Sequence, residues 1–228
     1  MNPDFAIVLN FKLKNAKDVA ADFLVKTARN IGARVIAADA NIPDFKKACA
    51  KYTISLIEKP TQGTDLTATD AIDRLVLNRK AGAKTIINVP VTEDGKLTPE
   101  TELMLKQINN WMHIFGHAFN ESEPCALKVG NVAEDSCFIL QNRHAKYQKY
   151  IFVKAPLPET IKIIGLTAKP NRIELIDQRT ELEFEFSNNE LTIELTIDLT
   201  NSNKNDYDWQ IIRIQEHRPE DDIKETKF

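Results

Sequence analysis

Two textures of apolar patterning succeed one another along the chain, and they change over near residue 120. In the first, short apolar runs alternate with segments of helical period. Phe5-Ala6-Ile7-Val8-Leu9 is nearly continuous, as expected for a strand buried on both faces. Asn15 then stands as an N-cap before Val19, Phe23, Leu24, Thr27 and Ile31 at helical spacing. Gly32 follows where a left-handed C-terminal residue is expected, and Arg34 to Asp39 reads as the next strand, completing a βαβ unit. A short helix around Phe45 to Ala50 leads into Thr53-Ile54-Ser55-Leu56-Ile57. Thr69 is placed to cap a helix carrying Ile72, Leu75, Val76 and Leu77, which Gly82 ends. Thr85 to Val89 is a fourth buried strand, and Pro99 opens a helix carrying Met104, Ile108, Trp111, Met112 and Phe115.

Four βα units are too few to close a (β/α)8 barrel, which takes about 250 residues. The pattern therefore predicts a truncated, TIM-like half barrel over residues 1–120. An open sheet and two half barrels completed across a dimer are the other arrangements it allows.

After Phe119 the period shortens to two. Cys137 to Leu140, Tyr150 to Val153, Ile161 to Ile164, Arg172 to Leu175, Leu182 to Phe186, Leu191 to Ile197 and Trp209 to Ile214 are strand candidates, several alternating strictly. Ser187-Asn188-Asn189-Glu190 is a hairpin turn between two of them, because Asn tolerates positive φ. An antiparallel β-sandwich over residues 121–217 follows, with a mobile charged tail at 218–228.

Charge changes this picture by exclusion. With 30 basic and 33 acidic side chains the chain is slightly acidic, and no basic stripe interleaved with aromatics appears, so nucleic acid is not an expected partner. No run approaches the ~20 apolar residues of a membrane span, and the N-terminus lacks the layout of a signal peptide, so no membrane partner and a cytoplasmic location are expected. Cys49, Cys125 and Cys137 have no C-x-x-C spacing and read as buried thiols. His113 and His117 lie four apart on one helix without the glutamate of an H-E-x-x-H site, so no metal is assigned. The 7 glycines assemble no phosphate loop, and no cofactor is expected.

Thr85-Ile86-Ile87-Asn88-Val89-Pro90-Val91-Thr92-Glu93-Asp94-Gly95-Lys96-Leu97-Thr98-Pro99-Glu100 resembles the strand, Asp-Gly turn and Pro-Glu helix start that close the barrel of family 29 α-L-fucosidases. Ile108 to Met112 and Phe115 to Phe119 are similar to that family's Trp-bearing helix, and Leu157 to Leu166 followed by Arg172 to Leu175 to its C-terminal sandwich. The departures are Val89-Pro90, which lacks the family's glycine, and His117 in place of its usual acid. Where the family has an early His-His-Asp-Gly segment, this chain reads Asp39-Ala40-Asn41-Ile42-Pro43, and neither Trp111 nor Trp209 begins the family's Trp-x-Asp nucleophile motif.

Retaining glycoside hydrolysis needs two carboxyl groups roughly 5 Å apart, a nucleophile and a proton donor. The resemblance accordingly implies a fucosidase-related protein without catalysis, acting in glycan binding, regulation or assembly. The alternative is an active glycosidase with a rebuilt acid pair or a barrel completed by dimerisation. Asp39 and Glu58, at the C-terminal ends of successive strands, are the candidate catalytic acids. Asn10, Lys12, Asn41, Lys59 and Asn88 share that rim as candidate substrate-binding residues. A carbohydrate ligand and a homodimer are the partners these readings name.

Overall fold

The computed structural model describes residues 6–14, 16–59, 61–195 and 207–216. They fall into two compact units divided between Asn120 and Glu121.

In the first unit, β1 (Ile7–Lys12), β2 (Val35–Ala38), β3 (Ser55–Ile57) and β4 (Thr85–Pro90) form one parallel sheet in the order β3-β2-β1-β4. β1 is the strand that the apolar run predicts, buried at Ile7, Val8, Leu9, Asn10 and Phe11; Phe5 lies outside the described residues, Ala6 precedes the strand, and the strand runs on to Lys12. Thr53, expected to open the third strand, instead ends helix α2 (Ile42–Tyr52) at φ 56, with the Ile54 N–H donating to the Cys49 carbonyl; β3 begins at Ser55.

The helices lie on one side of this sheet. Parallel partners share a face, so Ile7, Leu9 and Phe11 of β1 point the same way as Thr85, Ile87 and Val89 of β4. Phe11 meets Phe45 of α2 at 5.8 Å between ring centroids, and Thr85 Oγ1 accepts a bond from Asn78 of α3 (Ala71–Lys80). α1 (Ala21–Asn30) packs on α2, its Asp22 carboxylate accepting bonds from Lys51 and Tyr52. α4 (Pro99–Glu121) joins the layer where the Asn120 carbonyl accepts from Arg79 and where Met112 abuts Gly32.

Helix starts follow capping chemistry only in part. Thr98 Oγ1 accepts the Thr101 N–H ahead of α4, with Pro99 in the first turn as expected. Asp70, not Thr69, occupies the cap position of α3, and its carboxylate is spent on the Thr67 N–H. The expected cap Asn15 lies outside the described residues, as does the expected tail; α1 starts at Ala21 without a side-chain cap. Gly32 and Gly82 take the left-handed conformation at the ends of α1 and α3, with φ +86 and +68.

Between β3 and α3 the chain crosses the helix-free face of the sheet. It reaches the far side of β4, where Thr64 bridges Ile87 in parallel, its N–H donating to the Ile86 carbonyl and its carbonyl accepting from Asn88. Thr64 is in effect a strand one residue long, and the segment Thr64, α3, β4 a compressed βαβ turn.

The second unit is a sandwich of two antiparallel sheets. The larger runs β11-β10-β14-β8-β7-β5 and the smaller β12-β13-β9-β6, with β5 (Ser122–Pro124), β6 (Lys128–Val129), β7 (Cys137–Asn142), β8 (Gln148–Lys154), β9 (Thr160–Ile164), β10 (Arg172–Leu175), β11 (Thr180–Glu181), β12 (Phe184–Ser187), β13 (Glu190–Glu194) and β14 (Trp209–Gln215). Ile139, Ile151 and Ile212 of the first sheet pack against Ile161, Ile163 and Ile193 of the second. Asn188 and Asn189 take φ 51 and 61 between paired Ser187 and Glu190, the two-residue hairpin that their identity predicts. Leu182, expected in one strand with Phe186, lies between β11 and β12, which belong to different sheets.

Candidate functional site

Parallel α/β units build their sites at the C-terminal ends of the strands, where successive loops converge. In the first unit that edge carries a polar network. Asn10, 1% exposed, donates from its amide to the Thr61 carbonyl and to Asn88 Oδ1, both at 2.8 Å. Lys12 Nζ reaches the same Thr61 carbonyl at 3.3 Å. Asn88 in turn donates to the Gly63 carbonyl at 3.1 Å and to Asp65 Oδ1 at 2.8 Å. The strand register explains the grouping: Asn10 and Asn88 are partners on neighbouring strands, both on the face without helices.

Three of the residues expected on the rim, Asn10, Lys12 and Asn88, are thus brought together. Besides one another, their partners are backbone carbonyls of the crossing segment and the Asp65 carboxylate. Gly63 is needed there, because a Cβ would come within 2.5 Å of Asn88 Oδ1 and 2.9 Å of the Ile86 carbonyl. Thr61 and Gly63 act through carbonyls and Asp65 sits in a loop, so nothing in their side-chain pattern marked them.

The two candidate acids are engaged separately. Asp39 Oδ1 accepts the Leu13 N–H at 2.7 Å, tying the end of β2 to the loop after β1. Glu58 follows β3 on the helix side and pairs with Lys46 of α2 at 3.0 Å, both side chains about half exposed. Lys59 accepts the Thr61 hydroxyl through its carbonyl. Asn41 stands at φ 53 before α2 and makes no capping bond with its side chain.

Asn41 belongs to a second feature of the same edge, an open depression of about 720 Å³ lined in part by Lys17, Asp18, Val19, Ala20, Asn41 and Asp44. The loops after β1 and β2 form it. The turn after β4 supports it from below: the Lys17 N–H donates to the Glu93 carbonyl, and Gly95, at φ +77, lies directly against the Asp18 carbonyl. That turn is held by Thr92 and Asp94. Lys96 and the Thr92 hydroxyl keep the Asp94 carboxyl below the usual carboxylate range.

Elsewhere the titratable groups have structural settings. Burial pushes the Cys49 thiol up to about 11 and the Cys137 thiol up to about 12, which removes thiolate character at neutral pH. Tyr150 and Trp209 are fully buried in the second unit, and Tyr150 exchanges hydrogen bonds with Asn142 and Gln148. Buried Glu174 is met by both Arg213 and Arg172. Among the described residues no group of three His, Cys, Asp or Glu is placed to hold a metal ion, and no helix is long and apolar enough to cross a membrane.

No protein-family model and no curated protein matches the chain. Solved structures do. An α-L-fucosidase of family 29 from Bacteroides thetaiotaomicron, trapped as a covalent intermediate, aligns with TM-score 0.52 and 17% identity over 79% of this chain and 38% of its own. The α-fucosidase of Thermotoga maritima in complex with a mechanism-based inhibitor aligns with TM-score 0.52 and 15% identity over 86% of this chain and 56% of its own. The same enzyme in complex with fucose gives 0.51 and 18%. The fold is fucosidase-like, and the chain spans 38% and 56% of the length of these two enzymes.

Proposed function

We propose that this chain is a fucosidase-related protein that binds carbohydrate without hydrolysing it, its first unit being a half barrel. The half-barrel reading rests on strand order together with helix placement. A doubly wound sheet of order 3-2-1-4 sends its third helix to the opposite face, whereas here α2 and α3 share one face. A closed barrel pairs its last strand with its first, which is the relation of β4 to β1.

One observation carries the non-catalytic reading: both candidate acids and the amides of Asn10 and Asn88 are committed to the chain itself. Double displacement at an anomeric carbon needs two carboxyl groups facing each other across roughly 5 Å. Asp39 is fixed by a backbone N–H and Glu58 is drawn to Lys46 on the helix side, so they present no such pair. Asn10, Lys12 and Asn88, which would grip sugar hydroxyls, close instead on Thr61, Gly63 and Asp65.

The test is turnover of nitrophenyl α-L-fucoside and a panel of other nitrophenyl glycosides by the full chain, beside Asp39→Asn and Glu58→Gln. The expected result is no release above buffer. Hydrolysis abolished by either substitution would establish the rebuilt acid pair and overturn the proposal. A glycan array tests the binding half of the reading; an array without a single positive refutes it.

A further inference from the structure

Resting on that reading, we infer that the saccharide is held not at the strand-end network but in the depression between the loops after β1 and β2, and that it is an uncharged sugar. The network offers a ligand little: the amide of Asn10 is spent on Thr61 and Asn88, and that of Asn88 on Gly63 and Asp65. The depression is built differently. Its volume, about 720 Å³, lies within the ~300–1,000 Å³ of small-molecule sites.

Its lining mixes the groups that sugars need. Asp18, Asp44 and Asn41 supply acceptors and an amide donor for adjacent hydroxyls, Lys17 supplies a cationic donor, and Val19 and Ala20 supply small apolar contacts for C–H faces. The amide of Asn41 is not used to cap α2. Charge selects within the sugar class. Two carboxylates against one ammonium leave the lining with a net negative charge, which disfavours phosphorylated and acidic sugars.

The loop that carries Lys17 and Asp18 is preformed. The Lys17 N–H bond to Glu93 and the close seat of Gly95 under Asp18 brace it against the turn after β4, which lowers the ordering cost of binding.

The experiment is an amide-correlation NMR titration of the full chain with methyl α-L-fucoside, with glucose 6-phosphate as the anionic comparison. Expected are shifts at Lys17 to Ala20, at Ala40 to Ile42 and at Asp44, with affinity at least tenfold weaker in Asn41→Gly and Asp44→Asn. Asn41→Gly keeps the positive φ while removing the amide, so a folding defect does not mimic the loss. Lys12→Ala is expected to bind as the parent does.

Shifts centred on Asn10 and Asn88 and removed by Lys12→Ala would overturn this inference and leave carbohydrate binding standing at the rim. So would a positive glycan array with no shift at the depression. An equal or stronger response to glucose 6-phosphate overturns the sugar class. Silence from the fucoside together with an empty array sinks both the inference and the reading it rests on.

Discussion

Replacing Gly95 by alanine places a methyl group where the Asp18 carbonyl already is. Gly95 sits at φ +77, and the added Cβ would overlap the oxygen and carbon of that carbonyl and come within 3.2 Å of Val19 Cα. The obstacle is backbone, so no side-chain rotation relieves it. Two costs combine. A left-handed conformation costs a non-glycine residue about 1–2 kcal/mol. Moving the turn away also breaks the Lys17 N–H bond to the Glu93 carbonyl, a loss of about 1 kcal/mol. The sum, about 2–3 kcal/mol, is a large part of the ~5–15 kcal/mol that holds a domain folded. Urea unfolding followed by circular dichroism reads it, and with a slope of ~2 kcal/mol per molar the midpoint falls by about 1–1.5 M. Gly116→Ala is the control. Gly116 lies inside α4, where a Cβ would meet the flexible end of Met112 at 3.3 Å, and alanine gains up to about 1 kcal/mol of helix propensity. A Gly95→Ala midpoint within 0.2 M of the parent, or a Gly116→Ala loss as large, would refute the reasoning.

Other expectations follow from single contacts. Asn10→Ala leaves the Thr61 carbonyl and Asn88 Oδ1 short of a donor and should cost about 2–3 kcal/mol in equilibrium unfolding; a loss below ~0.5 kcal/mol would mean water replaces the amide freely. Asn189→Gly creates the Asn-Gly pair that a two-residue hairpin favours at φ 51 and 61, and is expected to raise the melting temperature slightly, whereas Asn189→Ala lowers it. The Cys137 thiol ionises near 9.0 when unfolded and near 12 when folded, so its contribution to stability is complete below pH 9 and is lost as pH climbs toward 12. Urea midpoints should therefore fall above pH 9, less steeply in Cys137→Ala; parallel slopes for the two proteins would remove the buried thiol as the cause.

The elements were legible where local chemistry is strong. Asn188-Asn189 specifies its turn because Asn tolerates positive φ, and Gly32 and Gly82 stop their helices for a related reason. Thr98-Pro99 starts α4 because the hydroxyl and the missing N–H both suit a helix N-terminus. What the residues did not disclose is non-local. Placing β4 beside β1 depends on pairing Ile7 with Thr85, 78 residues further on, and Thr64 acts as a strand although a single residue carries no periodicity. β5, β6 and β11, of 3, 2 and 2 residues, are too short to alternate visibly. At the rim, position at the C-terminal ends of the apolar runs was enough to put Asn10, Lys12 and Asn88 on one edge. Their acceptors on Thr61 and Gly63 are main-chain carbonyls, which every residue possesses and no sequence advertises.

The seating of β4 against β1 has a consequence for how the chain is made. β1 leaves the ribosome well before β4, and its ladder on one side stays open until Thr85 to Pro90 arrive. At the ~5–20 residues per second of synthesis that is a wait of about 4–15 s, with a strand as apolar as Ile7-Val8-Leu9 half paired. During that interval the nascent chain presents an adhesive edge to its neighbours, and a ribosome that pauses before residue 90 prolongs the exposure. For this fold, the pace of translation through α3 sets how long that edge stays open.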